Sequence, residues 1–270
     1  MCRTVLAEVD APTNPVQDLY DHYYDRARFE ISPPVRTSLK QLARSFESFR
    51  ETGRWLDIGF GEGAILKIAE ENGWKCYGTD IAPVALAYGA SRGWIVGRDA
   101  ENDPRFPHRG FDIVTMIELL EHIPAPDRAL RSAARLLRPG GLLYITTPNA
   151  KSLNRRMLGL EWSIFRPPEH ITIWSACGLR AALDRAGFEI RRIRTEGLNP
   201  YEILARWRSR DGIVEPVDRN QAAFALNRAF STSPPRRILK TVINRSLSIF
   251  GIGDTLKIRA IRRAAGESED

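Results

Sequence analysis

Seven residues constrain this chain more than any others: Asp57-Ile58-Gly59-Phe60-Gly61-Glu62-Gly63 follow the apolar run Arg54-Trp55-Leu56 and precede a helical stretch, Ala64 to Asn72, closed by Gly73. A strand that turns through three glycines into a helix lets the backbone approach a ligand closely and aims N–H groups at it from a helix N-terminus. The same unit repeats. Trp74 to Thr79 reads as the next strand, Pro83 to Arg92 as a helix with Gly93 after it, and Trp94 to Val96 as a third strand. Phe111 to Ile117 and Leu142 to Thr147 are two further apolar strands, separated by a helix from Ala125 to Arg138 and the turn Pro139-Gly140-Gly141. Strands alternating with helices of this length predict an α/β fold with a parallel sheet and helices on both faces.

Two helices, Val16 to Phe29 and Val35 to Phe49, precede the first strand. After Pro148-Asn149 a polar segment with Trp162, Phe165 and Pro167-Pro168 interrupts the alternation, as a loop over an active site does, and a helix from Ser175 to Ala186 and a strand from Phe188 to Thr195 follow. Helices at Tyr201 to Arg208, Arg219 to Ala229 and Arg236 to Phe250 lead to a last strand within Asp254 to Arg262, and the polar tail from Ala264 reads as disordered. The expected division is an N-terminal helical cap (1–52), a core (53–200), C-terminal helices with a closing strand of the same domain (201–263) and the tail (264–270).

The three cysteines, Cys2, Cys76 and Cys177, are scattered, so neither a disulfide framework nor a zinc ribbon is implied. With no secretory leader or apolar run of membrane-spanning length, the expectation is a cytoplasmic protein. Lys and Arg number 18 against 20 Asp and Glu in residues 1–150, but 22 against 13 in residues 151–270. This asymmetry points either to an anionic partner, such as a phosphorylated acceptor, nucleic acid or a lipid surface, or to a solvated Arg-rich face. The helix from Arg236 to Phe250 carries an apolar stripe that suits a peripheral membrane contact or packing on its own sheet.

The glycine spacing is Gly-x-Gly-x-Gly after an acid, whereas a dinucleotide fingerprint wants its third glycine one residue later, packed around a pyrophosphate. An acid before the turn suits a cationic amino group better than a diphosphate. Asp80 ends the second strand roughly twenty residues beyond the first glycine, where a carboxylate accepts hydrogen bonds from both hydroxyls of a ribose.

Through WLDIGFGEG, YGTDIAP and FDIVTMIELLEHIPAPDRALRSAARLLRPGGLLYITTPN the chain resembles class I S-adenosylmethionine-dependent methyltransferases, and within them the ubiquinone-biosynthesis O-methyltransferase group. The resemblance implies a Rossmann-like, doubly wound, seven-stranded and mostly parallel sheet whose last strand is antiparallel and inserted beside the fifth. It also implies S-adenosylmethionine as cofactor and a small-molecule hydroxyl acceptor of quinol, catechol or sugar type. By matching positions, Asp57 would hold the methionine amino group, and Gly59, Gly61 and Gly63 would line the methionine and ribose path. Asp80 would clasp the ribose, with Ile81 beside it, Asp99 would meet the adenine amino group, Ile117 the adenosyl moiety, and Arg36 the methionine carboxylate. Phe60 stands where the family has a small residue.

His122, past the fourth strand, is the candidate general base, because its ordinary pKa is near neutrality; packing is the other reading of it. Glu118, Glu121 and His122 stand at i, i+3 and i+4, a spacing that would place all three on one face of a helical turn and allow a shared cation. The triplet resembles the Glu-x-x-Glu-His ligand set of plant small-RNA terminal 2′-O-methyltransferases, with His170 in PPEHI as a fourth ligand, and Mg²⁺, Mn²⁺ and Zn²⁺ are all compatible with it. Two further readings stay open at this level: methylation of a nucleic-acid 2′-hydroxyl, and a cofactor-binding scaffold without catalysis.

Overall fold

The computed structural model describes residues 2–7, 30–200, 202–204 and 234–264. Nine strands and seven α-helices are named here. They are β1 (Val5–Leu6), α1 (Pro33–Arg44), β2 (Arg54–Ile58), α2 (Ala64–Glu71), β3 (Lys75–Thr79), α3 (Pro83–Ser91), β4 (Ile95–Gly97) and β5 (Phe111–Ile117), then α4 (Pro126–Leu136), β6 (Leu137–Pro148), α5 (Leu153–Leu158), β7 (Thr172–Ile173), α6 (Ala176–Arg185), β8 (Phe188–Glu196), α7 (Pro234–Phe250) and β9 (Thr255–Arg262). Seven strands form one sheet in the order β4-β3-β2-β5-β6-β9-β8. The five from β2 to β6 are parallel, and β9 enters antiparallel between β6 and β8. This is the expected topology, with the last strand beside the fifth.

Apolar residues adjacent along each strand face opposite sides of the sheet. Leu56, Val114 and Leu143 join one core with Leu130 and Ala133 of α4 and Leu179 and Leu183 of α6. Their neighbours Trp55, Ile113 and Leu142 join the other, with Ala43 of α1, Phe46 and Ile65, Leu66 and Ile68 of α2. Helices α1, α3 and α4 begin on prolines, whose fixed φ suits a first turn. Ser152 and Ser175 cap α5 and α6 by accepting N–H bonds from Arg155 and Gly178.

Boundaries differ in instructive places. The expected Pro139-Gly140-Gly141 turn lies inside β6, with Gly140 at φ 73° and the register with β5 shifting between Phe111 and Ile113, so an irregularity in the ladder absorbs it. Helix α1 stops at Arg44, and Glu47–Phe49 form a separate 3₁₀ turn. The interruption after β6 carries α5 and β7, and β7 pairs antiparallel with β1, laying the first residues along the segment behind His170. The helices expected at Val16–Phe29 and Arg219–Ala229, all of Tyr201–Arg208 except 202–204, and the tail beyond 264 lie outside the described residues.

Candidate active site

The carboxyl ends of β2, β3, β4 and β5 set the glycine turn, Asp80, Asp99 and Ile117 along one edge of the sheet. Gly59, Gly61 and Gly63 have φ of 69°, 51° and 66°, left-handed values that side chains resist. A Cβ on Gly59 would stand 2.6 Å from Leu119 Cδ1, and one on Gly63 2.6 Å from the Trp94 ring, so these two glycines also admit neighbouring side chains. Phe60 is buried, edge-on to Trp94, and fills the space that a Cβ on Gly78 or Gly89 would need. Its bulk therefore goes to the helix layer, leaving only its backbone in the turn.

Asp80 organises the turn: its Oδ2 accepts the Gly61 N–H (2.8 Å) and its Oδ1 the Ala82 N–H (2.8 Å). Burial raises its carboxyl above the usual range, against these backbone bonds. Ile81 beside it is 43% exposed, an apolar surface at an otherwise polar edge. Asp57 is almost wholly buried, and burial, opposed by its Thr115 hydrogen bond and reinforced by the charge of Asp80, pushes it up to about 7. The Thr115 hydroxyl donates to Asp57 Oδ1 (2.5 Å) and accepts from Trp55 Nε1 (3.1 Å). This three-residue relay escaped the sequence reading, although a threonine within the apolar strand FDIVTMI is itself a signal, because a buried hydroxyl needs a partner. Two carboxyls, three left-handed glycines and an exposed isoleucine suit a nucleoside carrying an ammonium-bearing tail.

Asp99 lies after β4, exposed, accepting from Asn102 Nδ2 (2.6 Å) and the Glu101 N–H (2.9 Å); these bonds, Asn102's first, hold its carboxyl below the usual range. Ile117 is half-buried at the end of β5. The Arg36 guanidinium, on α1, pairs with Glu71, the last residue of α2.

Beyond β5 the predicted helical face does not form. Glu118 has φ 49° and its N–H bonds the carbonyl and hydroxyl of Thr146, so the chain leaves the strand through a left-handed residue. Glu118 is exposed, yet the protein around it raises its carboxyl, against the Thr146 hydrogen bond and the Lys257 charge. The convergent set is Glu121, His122 and His170, whose ligand atoms lie within 4.8 Å of one another, and Glu118 stands outside it, near enough for its charge to act on Glu121.

That set is built with care. Glu121 is buried, its Oε2 accepting from Thr147 Oγ1 (2.9 Å) and its carbonyl taking the N–H groups of Ile171 and Thr172, which brings His170 alongside. Burial first, and the charge of Glu118 second, hold the Glu121 carboxyl well above its usual range. His122 Nδ1 lies 2.8 Å from the Glu169 carbonyl and His170 Nδ1 2.5 Å from that of Ile164. Each Nδ1 therefore carries the proton, placing the lone pair on Nε2, the usual preparation of an imidazole as base or ligand. Their ring centroids are 4.7 Å apart, and burial, then His170, lowers the pKa of His122, keeping it neutral near pH 7.

A family model for the methyltransferase domain matches residues 3–193. The chain is similar to a ubiquinone biosynthesis O-methyltransferase of Marinobacter nauticus, 30% identical over an alignment of 164 residues that covers 54% of this chain and 68% of that one. It is also similar to one of Bordetella avium, 29% identical over 185 residues, 63% of this chain and 74% of that one. A solved S-adenosylmethionine-dependent methyltransferase of Thermotoga maritima, described as a possible histamine N-methyltransferase, shares the fold with a TM-score of 0.54 at 21% identity, covering 84% of this chain and 89% of that one.

Proposed function

The chain belongs to the S-adenosylmethionine-dependent methyltransferase family, and on that premise we propose that it methylates a hydroxyl of a small molecule of quinol or catechol type, in the cleft between the glycine turn and the Glu121–His122–His170 set. The convergence of those three side chains at the carboxyl edge, just past β5, carries this reading. Asp80 holds the ribose with Ile81 against the adenosyl group. Asp57 meets the amino group, Gly59, Gly61 and Gly63 bring the backbone close to the methionine and ribose path, and Asp99 and Ile117 border the adenine. The cofactor, when bound, supplies a methyl group on a good leaving group, so the protein's work is alignment, exclusion of water and removal of the acceptor proton. His122, neutral and with its lone pair on Nε2, takes that proton.

A second reading rests on the same three residues. One carboxylate and two imidazoles, each imidazole oriented by a backbone carbonyl, are the donor set of a divalent metal site. A cation held there by Glu121, His122 and His170 would acidify and orient a bound hydroxyl, and it would restore the charge of a Glu121 carboxyl that burial otherwise keeps protonated. The test is methyl transfer to a panel of catechols and quinols before and after chelation. Activity lost to chelator and restored by Zn²⁺, Mn²⁺ or Mg²⁺ supports the cation. Activity indifferent to chelator, with a pH profile that His122→Ala flattens, leaves His122 as the base alone. Absence of methyl ether from every hydroxyl acceptor refutes both.

A further inference from the structure

The two strands that finish the sheet, β9 and β8, set a row of cations on one of its faces. Leu256, Ile258 and Ala260 of β9 face the core that holds Leu56 and Val114, so Lys257 and Arg259 between them face the opposite side. In β8 the ladder is irregular between Ile190 and Arg192. Beyond that point Ile193 packs on the same core and Thr195 is buried, which turns Arg192, Arg194 and Glu196 to the side of Lys257 and Arg259. The register sets Arg192 opposite Arg259 and Arg194 opposite Lys257. Residues so paired have Cβ atoms about 5 Å apart, and like charges placed there repel. Burial, opposed by Tyr144 and aided by the Arg192 charge, lowers the Arg259 pKa.

Few acids answer this charge. Glu196 Oε2 lies 2.8 Å from Lys257 Nζ, and the same Lys257 charge opposes the burial that raises the Glu118 carboxyl. Arg259 donates to Ser45 Oγ (2.7 Å) and stands over the Phe46 ring. Arg192 and Arg194 are exposed, and no carboxylate of the described residues pairs with either, whereas Arg191 beside them is paired with Glu189. The row also leads inward. Lys257 lies opposite Thr146 of β6, and Thr146 beside Ile117 of β5, so one rung runs Arg194, Lys257, Thr146, Ile117 from the outer strand to the end of β5. Three strand spacings make that about 14 Å, a span on the scale of one small molecule, and the chain beyond Ile117 is the one that delivers Glu121 and His122.

We propose that Arg192 and Arg194, with Lys257 and Arg259 behind them, form a subsite for a phosphate group of the acceptor, so that the hydroxyl offered to His122 belongs to a phosphorylated small molecule. This rests on the acceptor reading above and adds the chemistry of the acceptor's far end. With Glu196 set against Lys257, the guanidinium charges of Arg192, Arg194 and Arg259 remain. A phosphate monoester brings about two negative charges and three acceptor oxygens to them, where a carboxylate brings a single charge. The planar N–H forks of Arg192 and Arg194 suit phosphate oxygens, and both side chains are exposed and so open to a ligand.

The full chain, saturated with S-adenosylhomocysteine, is titrated by calorimetry with phenyl phosphate and with benzoate, at low ionic strength because exposed charges are screened by salt. Phenyl phosphate should bind about tenfold tighter than benzoate, and Arg192→Gln and Arg194→Gln should each weaken it about tenfold. Arg191→Gln removes the same charge from a side chain that Glu189 already pairs at 3.0 Å, and should change binding by about twofold at most. In turnover, a catechol bearing a phosphate on a flexible side chain is compared with the same catechol bearing the free alcohol. Arg194→Gln should raise KM for the first about tenfold at unchanged kcat and leave the second alone. No binding of phenyl phosphate, benzoate bound as tightly, a loss in Arg191→Gln equal to those in Arg192→Gln and Arg194→Gln, or a KM unmoved by Arg194→Gln overturns the proposal. If neither catechol is methylated, the hydroxyl reading fails by itself, and the titration, which needs no turnover, still decides this one.

Discussion

Asp57 offers the sharpest handle on the cofactor site, because burial leaves it half-protonated near neutral pH. An ammonium group is paired only by the ionised carboxylate, so binding must remove the proton, and the apparent dissociation constant scales as one plus the ratio of protonated to ionised Asp57. With the carboxyl at about 7, affinity for S-adenosylhomocysteine should fall roughly twofold at pH 7, roughly tenfold at pH 6 and roughly a hundredfold at pH 5, relative to its value above pH 8. Stability runs the opposite way. The folded-state pKa of Asp57 lies above its unfolded value, so the free protein holds its proton more tightly than the unfolded chain does. That contribution, at most about 4 kcal/mol, is complete below about pH 4 and is lost as the pH rises through 7. Calorimetric titration with S-adenosylhomocysteine across this range, with a cooperative melt recorded at each pH, provides the assay. Asp57→Asn should bind more weakly at high pH and lose most of the slope. A flat wild-type profile, or an undiminished slope in Asp57→Asn, refutes the assignment of Asp57 to the amino group.

Three other outcomes are expected. Thr115→Val removes the donor to Asp57 and the acceptor of Trp55 Nε1, so it should cost about 1–3 kcal/mol in urea denaturation and move the midpoint of the pH-dependent binding upward, whereas Thr115→Ser should restore both. Asp80→Ala should weaken S-adenosylhomocysteine by about 10- to 100-fold, the worth of charge-assisted hydrogen bonds, with a still cooperative melt. Gly63→Ala should destabilise more than Gly93→Ala: both glycines have left-handed φ, but only at Gly63 does the new Cβ meet a side chain, the Trp94 ring at 2.6 Å, and equal losses by chemical denaturation would show that Trp94 simply moves aside.

The glycine turn, Asp80 and the alternation of strands and helices along the chain were legible because each is local: an apolar run, a change of period and a glycine at a left-handed position are written in consecutive residues, whereas the order of strands in the sheet was implied by the family resemblance. What the sequence did not display was tertiary. The Glu-x-x-Glu-His spacing reads as a helical face, yet Thr146 on the neighbouring strand pins the N–H of Glu118 and sends it into the left-handed region, so Glu121 and His122 find His170 without it. Arg36 faces Glu71 because α1 packs along α2, an arrangement that no motif in either helix announces.

The most direct test of the account is transfer from S-adenosylmethionine labelled at its methyl carbon to catechol and quinol acceptors, with the product's methyl resonance read by NMR. The account predicts a methyl ether, formed by the wild type, suppressed in Asp80→Ala through weakened cofactor binding and in His122→Ala with cofactor binding retained. A label found only on nitrogen, sulfur or carbon of its acceptor, or a methyl ether formed equally well by His122→Ala, would contradict it.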